Sequence, residues 1–281
     1  MTIFEAYNDT KKKLMAAGIE DYIFEAKQII KHITGLSATA ILTQYSKPLT
    51  KFQENNLVAL VHQRQVRYPL QYIFGSWDFY GRRFYVGPGV LIPRADTETV
   101  VEKALEFLAD KKDCEILDLC AGSGCIGITL ALEKFENRVT LLEKYDEAIT
   151  FAEKNITVNE AVNTTLCKGD VLVGDLKDNK YDLIVSNPPY IPTSEINLMS
   201  IETKFEPETA LMAEDDGLEF YKAIINNYTN SLKNGGMMLF EVGFSQSEKV
   251  AELLRDAGYK NIEFKKDLNE IARAVSGIKG E

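Results

Sequence analysis

The chain has 281 residues, 45% of them apolar, and 32 Lys and Arg against 42 Asp and Glu give a net charge of −10. That much apolar side chain closes a real core, and the acidic balance argues against a sheath of cations around phosphates, the main source of nucleic-acid affinity. No apolar run approaches the roughly 18 residues that cross a bilayer, and MTIFEAYNDTKKK lacks the basic-then-apolar order of a signal peptide. The expectation is a cytoplasmic protein with a protein or small-molecule partner, touching neither membrane nor nucleic acid.

Residues 1–70 read as a small helical bundle. In DYIFEAKQIIKHI, the residues Tyr22, Ile23, Ala26, Ile29, Ile30 and Ile33 fall on one helical stripe, with Gly35 as the stop. A second stripe runs through Leu57, Leu60, Val61 and Val66 before Pro69. No chemical motif lies in this stretch, which leaves a packing or partner-docking module. From Gln71 the runs QYIFGSWDFY and RRFYVG, separated by Gly81 and closed by Gly87-Pro88-Gly89, predict a β-hairpin linker over residues 71–94. LIPRADTETVVEKALEFLAD then predicts an extended segment leading into a helix, with Asp96 or Thr97 as its N-cap.

Over residues 95–281 the strand candidates EILDL, RVTLLE, TTLCKG, YDLIVS and MMLFEV alternate with helix-compatible segments, the pattern of an α/β fold with a parallel sheet and helices on both faces. NIEFKK and ARAVSG predict a terminal hairpin. The four cysteines form no C-x-x-C pair and there are two histidines, so no metal site is expected and the thiols read as reduced.

Two stretches carry chemistry. DLCAGSGCIGI places Gly122, Gly124 and Gly127 as G-x-G-x-x-G after a strand, and Glu143 ends the next strand, the spacing of an adenosyl cofactor site in which the acid accepts ribose hydroxyls. Asp118, four residues before the loop, suits an ammonium better than a pyrophosphate, which favours S-adenosylmethionine. Asp170 in KGDVL is placed to accept from the adenine amino group. Each also has a plainer reading: a tight turn for the glycines, a solvated acid for Glu143, a surface or helix-dipole acid for Asp118, and a turn former for Asp170. The second stretch is SNPPYIP. Prolines hold Asn187 and Pro188 extended, so the Asn187 side-chain carbonyl and the Pro188 carbonyl become fixed acceptors beside the flat ring of Tyr190.

These motifs, with RYPLQYIFG, FYVGPGVLIPRADTE, FEPETALMAEDDGLEFYKAI, FEVGFSQSEKV and KDLNEIARAV, make nearly the whole chain similar to the HemK-type glutamine methyltransferases of class 1 peptide chain release factors. The resemblance implies a helical bundle, a connecting hairpin and a Rossmann-like seven-stranded class I methyltransferase domain. It further implies methyl transfer from S-adenosylmethionine, leaving S-adenosylhomocysteine, to the N5 amide of the glutamine in the release factor's Gly-Gly-Gln tip, which modulates translation termination. Carried over by position, Cys120, Ala121, Gly122, Ser123 and Gly124 match the cofactor loop, Glu143 the ribose acid, Val171 the adenine-side position, and Asn187, Pro188, Pro189 and Tyr190 the substrate motif, Asn187 touching both ligands.

The chain departs from the common pattern in having Cys120 for Gly, Glu143 for Asp and Val171 for an aromatic. Three other readings stay open at this level: a glutamine methyltransferase of a large-subunit ribosomal protein, an amino methyltransferase of nucleic acid, and a non-catalytic module keeping the fold.

Overall fold

The computed structural model describes residues 1–178 and 180–280. The chain forms two compact units, Met1–Gly75 with Ser200–Phe205, and Ser76–Met199 with Glu206–Glu281. No helix among the described residues is long and apolar enough to cross a membrane.

The first unit holds α1 (Ile3–Ala16), α2 (Tyr22–Thr34), α3 (Ala38–Thr43), α4 (Lys51–Gln65) and α5 (Leu70–Phe74). Local chemistry sets their ends. Thr2 with Glu5, and Thr50 with Gln53, form reciprocal capping boxes on α1 and α4, and Gly35 ends α2 in the left-handed region, as its position in the sequence predicts. Ala26, Ile29 and Ile30 are buried, but Ile23 lies half in water, and Val66 is exposed because α4 stops one residue earlier. QYIF also departs from the hairpin expectation. Pro69 starts a short helix there and Gly75, at φ 70°, stops it, so the hairpin begins only at Ser76. An aromatic run of four residues has no periodicity that separates helix from strand.

The second unit opens with the hairpin β1 (Ser76–Phe79) and β2 (Arg82–Tyr85), and α6 (Glu98–Phe107) follows. Then come β3 (Glu115–Leu119), α7 (Cys125–Glu133), β4 (Arg138–Glu143), α8 (Asp146–Val158), β5 (Thr164–Lys168) and β6 (Tyr181–Ser186). The short strands β7 (Ile191–Pro192) and β8 (Met212–Ala213) pair with each other, and α9 (Glu219–Tyr228), β9 (Leu232–Glu241), α10 (Ser247–Asp256), β10 (Lys260–Lys266) and β11 (Ala272–Ile278) complete the chain.

The main sheet has the order β10-β11-β9-β6-β3-β4-β5, parallel from β9 to β5, with β11 antiparallel to both neighbours. Alternate side chains feed two cores. Ile116, Leu183 and Val185 pack with α6 and α7, whereas Leu117, Leu119 and Ile184 pack with α9 and α10. The parallel strands therefore share one carboxyl edge, and chain order reverses between β3 and β6, where open sheets leave a crevice for ligand.

Candidate active site

The crevice at that edge is concave and lined from several loops, as small-molecule sites are. Cys120, Ala121, Gly122, Ser123, Glu143, Asp170, Val171, Asn187 and Pro189, all singled out from the sequence, line it. Asp118, Gly124, Pro188 and Tyr190 are not among its lining residues.

The loop after β3 has its shape for local reasons. Alternation along β3 turns Asp118 toward α7, where the carboxylate Oδ2 accepts from the Gly127 N–H at 2.8 Å. A Cβ on Gly127 would lie 2.9 Å from that oxygen and 2.2 Å from Leu141 Cδ2, so glycine is what lets helix and strand approach. Gly122 and Gly124 have φ of 56° and 78°, the left-handed region where a Cβ is costly. Cys120 shares that conformation at φ 58°, which explains why glycine suits the position and shows that the loop keeps its shape with a thiol there.

The second carboxylate oxygen of Asp118 is buried without a hydrogen-bond partner, and burial, with the Glu143 charge adding to it against the Gly127 bond, pushes the pKa up to about 7. Glu143 sits at the tip of β4, 7% exposed. Its Oε2 accepts from the Gly122 N–H at 2.8 Å, and its Oε1 from the N–H groups of Lys144 at 2.7 Å and Tyr145 at 3.0 Å. Those bonds hold a charged group rigidly at the wall. Asp170 is more committed to its own loop. Oδ2 pairs with Lys144 Nζ at 2.8 Å and Oδ1 accepts from the Leu172 N–H at 2.9 Å. Partial burial is the largest influence on its pKa and works upward, but Lys144 and the Leu172 N–H outweigh it and leave the pKa lowered.

NPPY leaves β6 beside β3, locked by the Ser186 hydroxyl donating to the Leu119 carbonyl at 2.7 Å. Asn187 Nδ2 donates to Thr97 Oγ1 at 3.5 Å, a long bond of the kind that tightens when substrate arrives. The Tyr190 backbone is fixed from three sides. Its N–H donates to the Leu211 carbonyl at 3.1 Å, its carbonyl accepts from Gln246 Nε2 at 2.8 Å, and a Cβ on Gly217 would stand 2.2 Å from that carbonyl. Burial raises the Tyr190 pKa, so the phenol stays neutral.

Several lining residues escaped the sequence reading. Gly89, Val90, Ile92, Pro93 and Arg94 form a strap over the cleft, and Pro207, Thr209, Ala210 and Phe220 close its other side. Buried Glu206 joins the two by accepting from the Ile92 N–H at 2.9 Å and pairing with Arg94. Gly87-Pro88-Gly89 was read only as the end of a hairpin, yet a Cβ on Gly89 would meet Glu147 Cβ at 2.6 Å. Asn155, fully buried on α8, ties the hairpin to the loop by accepting from the Tyr85 N–H at 2.7 Å and donating to the Ser123 carbonyl at 2.9 Å. Tyr145 and Phe220 line the cleft where Val171 offers no ring. Thr97 stands at the N-cap position of α6, as expected, but its side chain makes no cap hydrogen bond. Its side chain faces Asn187 instead.

Residues 5–75 match the family described as PrmC N-terminal domain, and residues 96–218 match Methyltransferase small domain. A release factor glutamine methyltransferase of Geobacter sulfurreducens is 36% identical, over 98% of this chain and 96% of its own. One of Fusobacterium nucleatum is 34% identical, over 99% and 80% respectively. Among solved structures, a methyltransferase of Pyrococcus furiosus at 16% identity superposes with a TM-score of 0.52 over 83% of this chain and 100% of its own, a likeness of fold alone. With identity of this degree running through both halves, the chain belongs to the release factor glutamine methyltransferases.

Proposed function

We propose that the protein transfers a methyl group from S-adenosylmethionine to the N5 amide of the Gly-Gly-Gln glutamine in class 1 release factors, with the cleft at the β3/β6 crevice as its active site. The observation that carries this reading is the pairing of a glycine cradle and a half-satisfied buried acid, Asp118, with the fixed acceptors of NPPY on the same edge of the sheet.

The residues present fit the cofactor. Asp118 Oδ1, buried without a partner, is an acceptor for an ammonium, Glu143 holds an anion where ribose hydroxyls donate, and Tyr145, Val171 and Phe220 supply an apolar wall for a purine. Bound S-adenosylmethionine supplies an electrophilic methyl group on a sulfonium. The remaining chemistry belongs to the protein. A carboxamide nitrogen is a poor nucleophile because its lone pair is delocalised into the carbonyl. Asn187 Oδ1 and the Pro188 carbonyl, each accepting one substrate N–H, fix that nitrogen and stabilise its pyramidal form in the transition state. Tyr190, neutral and held by Gln246 and Leu211, offers its face to the flat amide, and that electron-rich face tolerates a nearby cation. The nitrogen becomes acidic only after it gains the methyl group, so no strong base is required before transfer.

In this reading residues 1–70 dock the release factor body, residues 71–94 link, and residues 95–281 hold the catalytic site. The test is mass spectrometry of a release factor incubated with labelled cofactor and either wild type or Asn187→Ala. Losing one preorganised acceptor should lower turnover by about 100-fold or more while the fold and cofactor binding persist. Turnover above about a tenth of wild type would remove Asn187 from the chemistry.

A further inference from the structure

Glu206 is 5% exposed and directly precedes Pro207, where one wall of the cleft begins. Its carboxylate bonds to the other wall. Oε2 accepts from the Ile92 N–H at 2.9 Å and Oε1 pairs with the Arg94 guanidinium, both on the strap. Each wall then runs on to the substrate motif. On the strap side, the Arg94 carbonyl accepts from the Thr97 N–H at 3.2 Å, and Thr97 Oγ1 accepts from Asn187 Nδ2 at 3.5 Å. On the Glu206 side, two tight turns close with the Ala210 N–H donating to the Pro207 carbonyl and the Leu211 N–H to the Glu208 carbonyl, at 3.0 Å each. They lead to the Leu211 carbonyl, which accepts from the N–H groups of Tyr190 at 3.1 Å and Ile191 at 2.8 Å. Strap, NPPY and residues 206–211 thus form one closed ring, and Glu206 is the link between its two ends.

We propose that Glu206 is a positioning residue for methyl transfer, clasping the strap to residues 206–211 so that Asn187 and Tyr190 keep the spacing that the substrate amide requires. This rests on the roles given to Asn187 and Tyr190 above. The Asn187 side chain is met from the strap and the Tyr190 backbone from residues 206–211, so the relative placement of the two depends on how those segments are joined. The other restraints do not replace the clasp. Ser186 fixes where NPPY leaves the sheet, and Gln246 fixes the Tyr190 carbonyl. A carboxylate suits the task because its two oxygens accept from two points of the strap, and bonds to a charged acceptor are the stronger kind. A buried ion pair adds little stability over an apolar pair of equal volume. What it supplies is a fixed geometry between two loops, and reacting groups lose rate steeply when that geometry drifts.

The acids of the cofactor side hang on different supports. Asp118 is carried by β3 and bonded to the Gly127 N–H, and Glu143 is carried by β4 and bonded to the N–H groups of Gly122, Lys144 and Tyr145. None of these bonds passes through Glu206. Loosening the clasp therefore acts on the reaction more than on cofactor binding. A purely structural role gives another pattern, in which stability falls and the folded enzyme keeps its kcat.

The experiment compares kcat, on a whole release factor with saturating S-adenosylmethionine, with the cofactor Kd from calorimetry, using the full chain and folded variants. Glu206→Gln keeps an acceptor for the Ile92 N–H and loses the ion pair with Arg94. Its kcat should fall about tenfold, while the cofactor Kd changes by less than about threefold. Arg94→Met should match it. Arg94→Lys keeps a cation for the one contact that Arg94 makes, through Nη2, and should hold most of the wild-type kcat. The double variant Glu206→Gln with Arg94→Met should be no slower than either single one, because both remove the same link. Wild-type kcat in Glu206→Gln, or in the double variant if the single one does not fold, would overturn the proposal. So would a double variant slowed by about a hundredfold, the product of two independent losses, or a cofactor Kd that weakens about tenfold while kcat stays at the wild-type value. An active Asn187→Ala enzyme would instead overturn the acceptor role beneath it, so the two failures are told apart.

Discussion

The helical unit and the sheet unit both bury charge, and they complete it differently. In the first, Arg64 is 4% exposed and makes a two-point bond to Glu25, Nε to Oε2 at 2.6 Å and Nη2 to Oε1 at 3.0 Å, while the same Nη2 reaches Glu202 at 2.9 Å. Arg67 adds a second contact to Glu202 at 2.8 Å, so residues 200–205 are held by ions. The second also pairs buried Glu206 with Arg94 and Asp267 with Arg273, but Asp118 and Glu241 are as deeply buried with no cation within ion-pair distance of either carboxylate among the described residues. Counting unpaired atoms does not separate the two, since Arg64 Nη1 also lacks a partner. Charge does. Burial alone would lower the Arg64 pKa, but its two carboxylates more than compensate, whereas Asp118 and Glu241 are pushed up to about 7. Buried charge that only holds a fold is neutralised inside the fold, and buried acid left without a cation is held for something that arrives.

The largest expected effect breaks the comparison on its structural side. Arg64→Ala strands Glu25 in a largely buried place, and removing one member of such a pair costs about 3–5 kcal/mol. Urea unfolding should show that loss, and replacing both partners with apolar residues should recover most of it. A loss under about 1 kcal/mol would mean that the pair behaves like a surface bridge.

A smaller effect comes from the loop that holds Asp118. Gly127→Ala drives a methyl group to 2.2 Å from Leu141 Cδ2 and 2.9 Å from the Asp118 carboxylate, so those buried side chains must shift. Overpacking of this kind costs about 1–3 kcal/mol. Because the displaced neighbour is Asp118, calorimetry with S-adenosylmethionine should also show weaker binding. A thermal midpoint and an affinity both equal to wild type would show that neither the approach nor the acid matters.

The sheet was legible because its strands are short apolar runs at regular intervals, and the cofactor loop because glycine spacing reports backbone conformation. The seven strand candidates and four of the lining residues, Gly122, Glu143, Asp170 and Asn187, follow from such local signals, whereas Cys120, Ala121, Ser123, Val171 and Pro189 came from the resemblance. What was not legible depends on contacts between distant segments. Glu206 meets Ile92 across more than a hundred residues, and Asn155 meets Tyr85 and Ser123 from the middle of a helix, where an asparagine reads as surface. Thr97 illustrates the limit most directly. Its place before a helix marks it as a cap, and only the fold shows that its hydroxyl makes no cap hydrogen bond and accepts from Asn187 instead. The buried Arg64 pair was hidden in the same way, since an arginine on an amphipathic helix reads as solvated.

The smallest effect sharpens the comparison by titration. The folded pKa of Asp118 is raised from 3.8 to about 7, so its contribution to stability is complete below about 3.8 and is lost as pH rises to about 7. A cationic ligand reverses that direction. An ammonium pairs with the ionised carboxylate, so below about pH 7 binding requires the loss of a proton from Asp118, and each unit of pH toward neutrality should improve affinity by at most about tenfold, or 1.4 kcal/mol. S-adenosylmethionine should therefore bind more tightly at about pH 7 than at about pH 6, with calorimetry in buffers of different ionisation heat recording one proton released at the lower value. Asp118→Asn keeps an acceptor for the Gly127 N–H and loses the charge, so its affinity should be lower at about pH 7 and level between the two values, and its melting point at about pH 8 should exceed that of wild type. If wild type binds equally at both values without releasing a proton, Asp118 is already ionised in the empty protein, and its burial would then be as structural as that of the Arg64 pair.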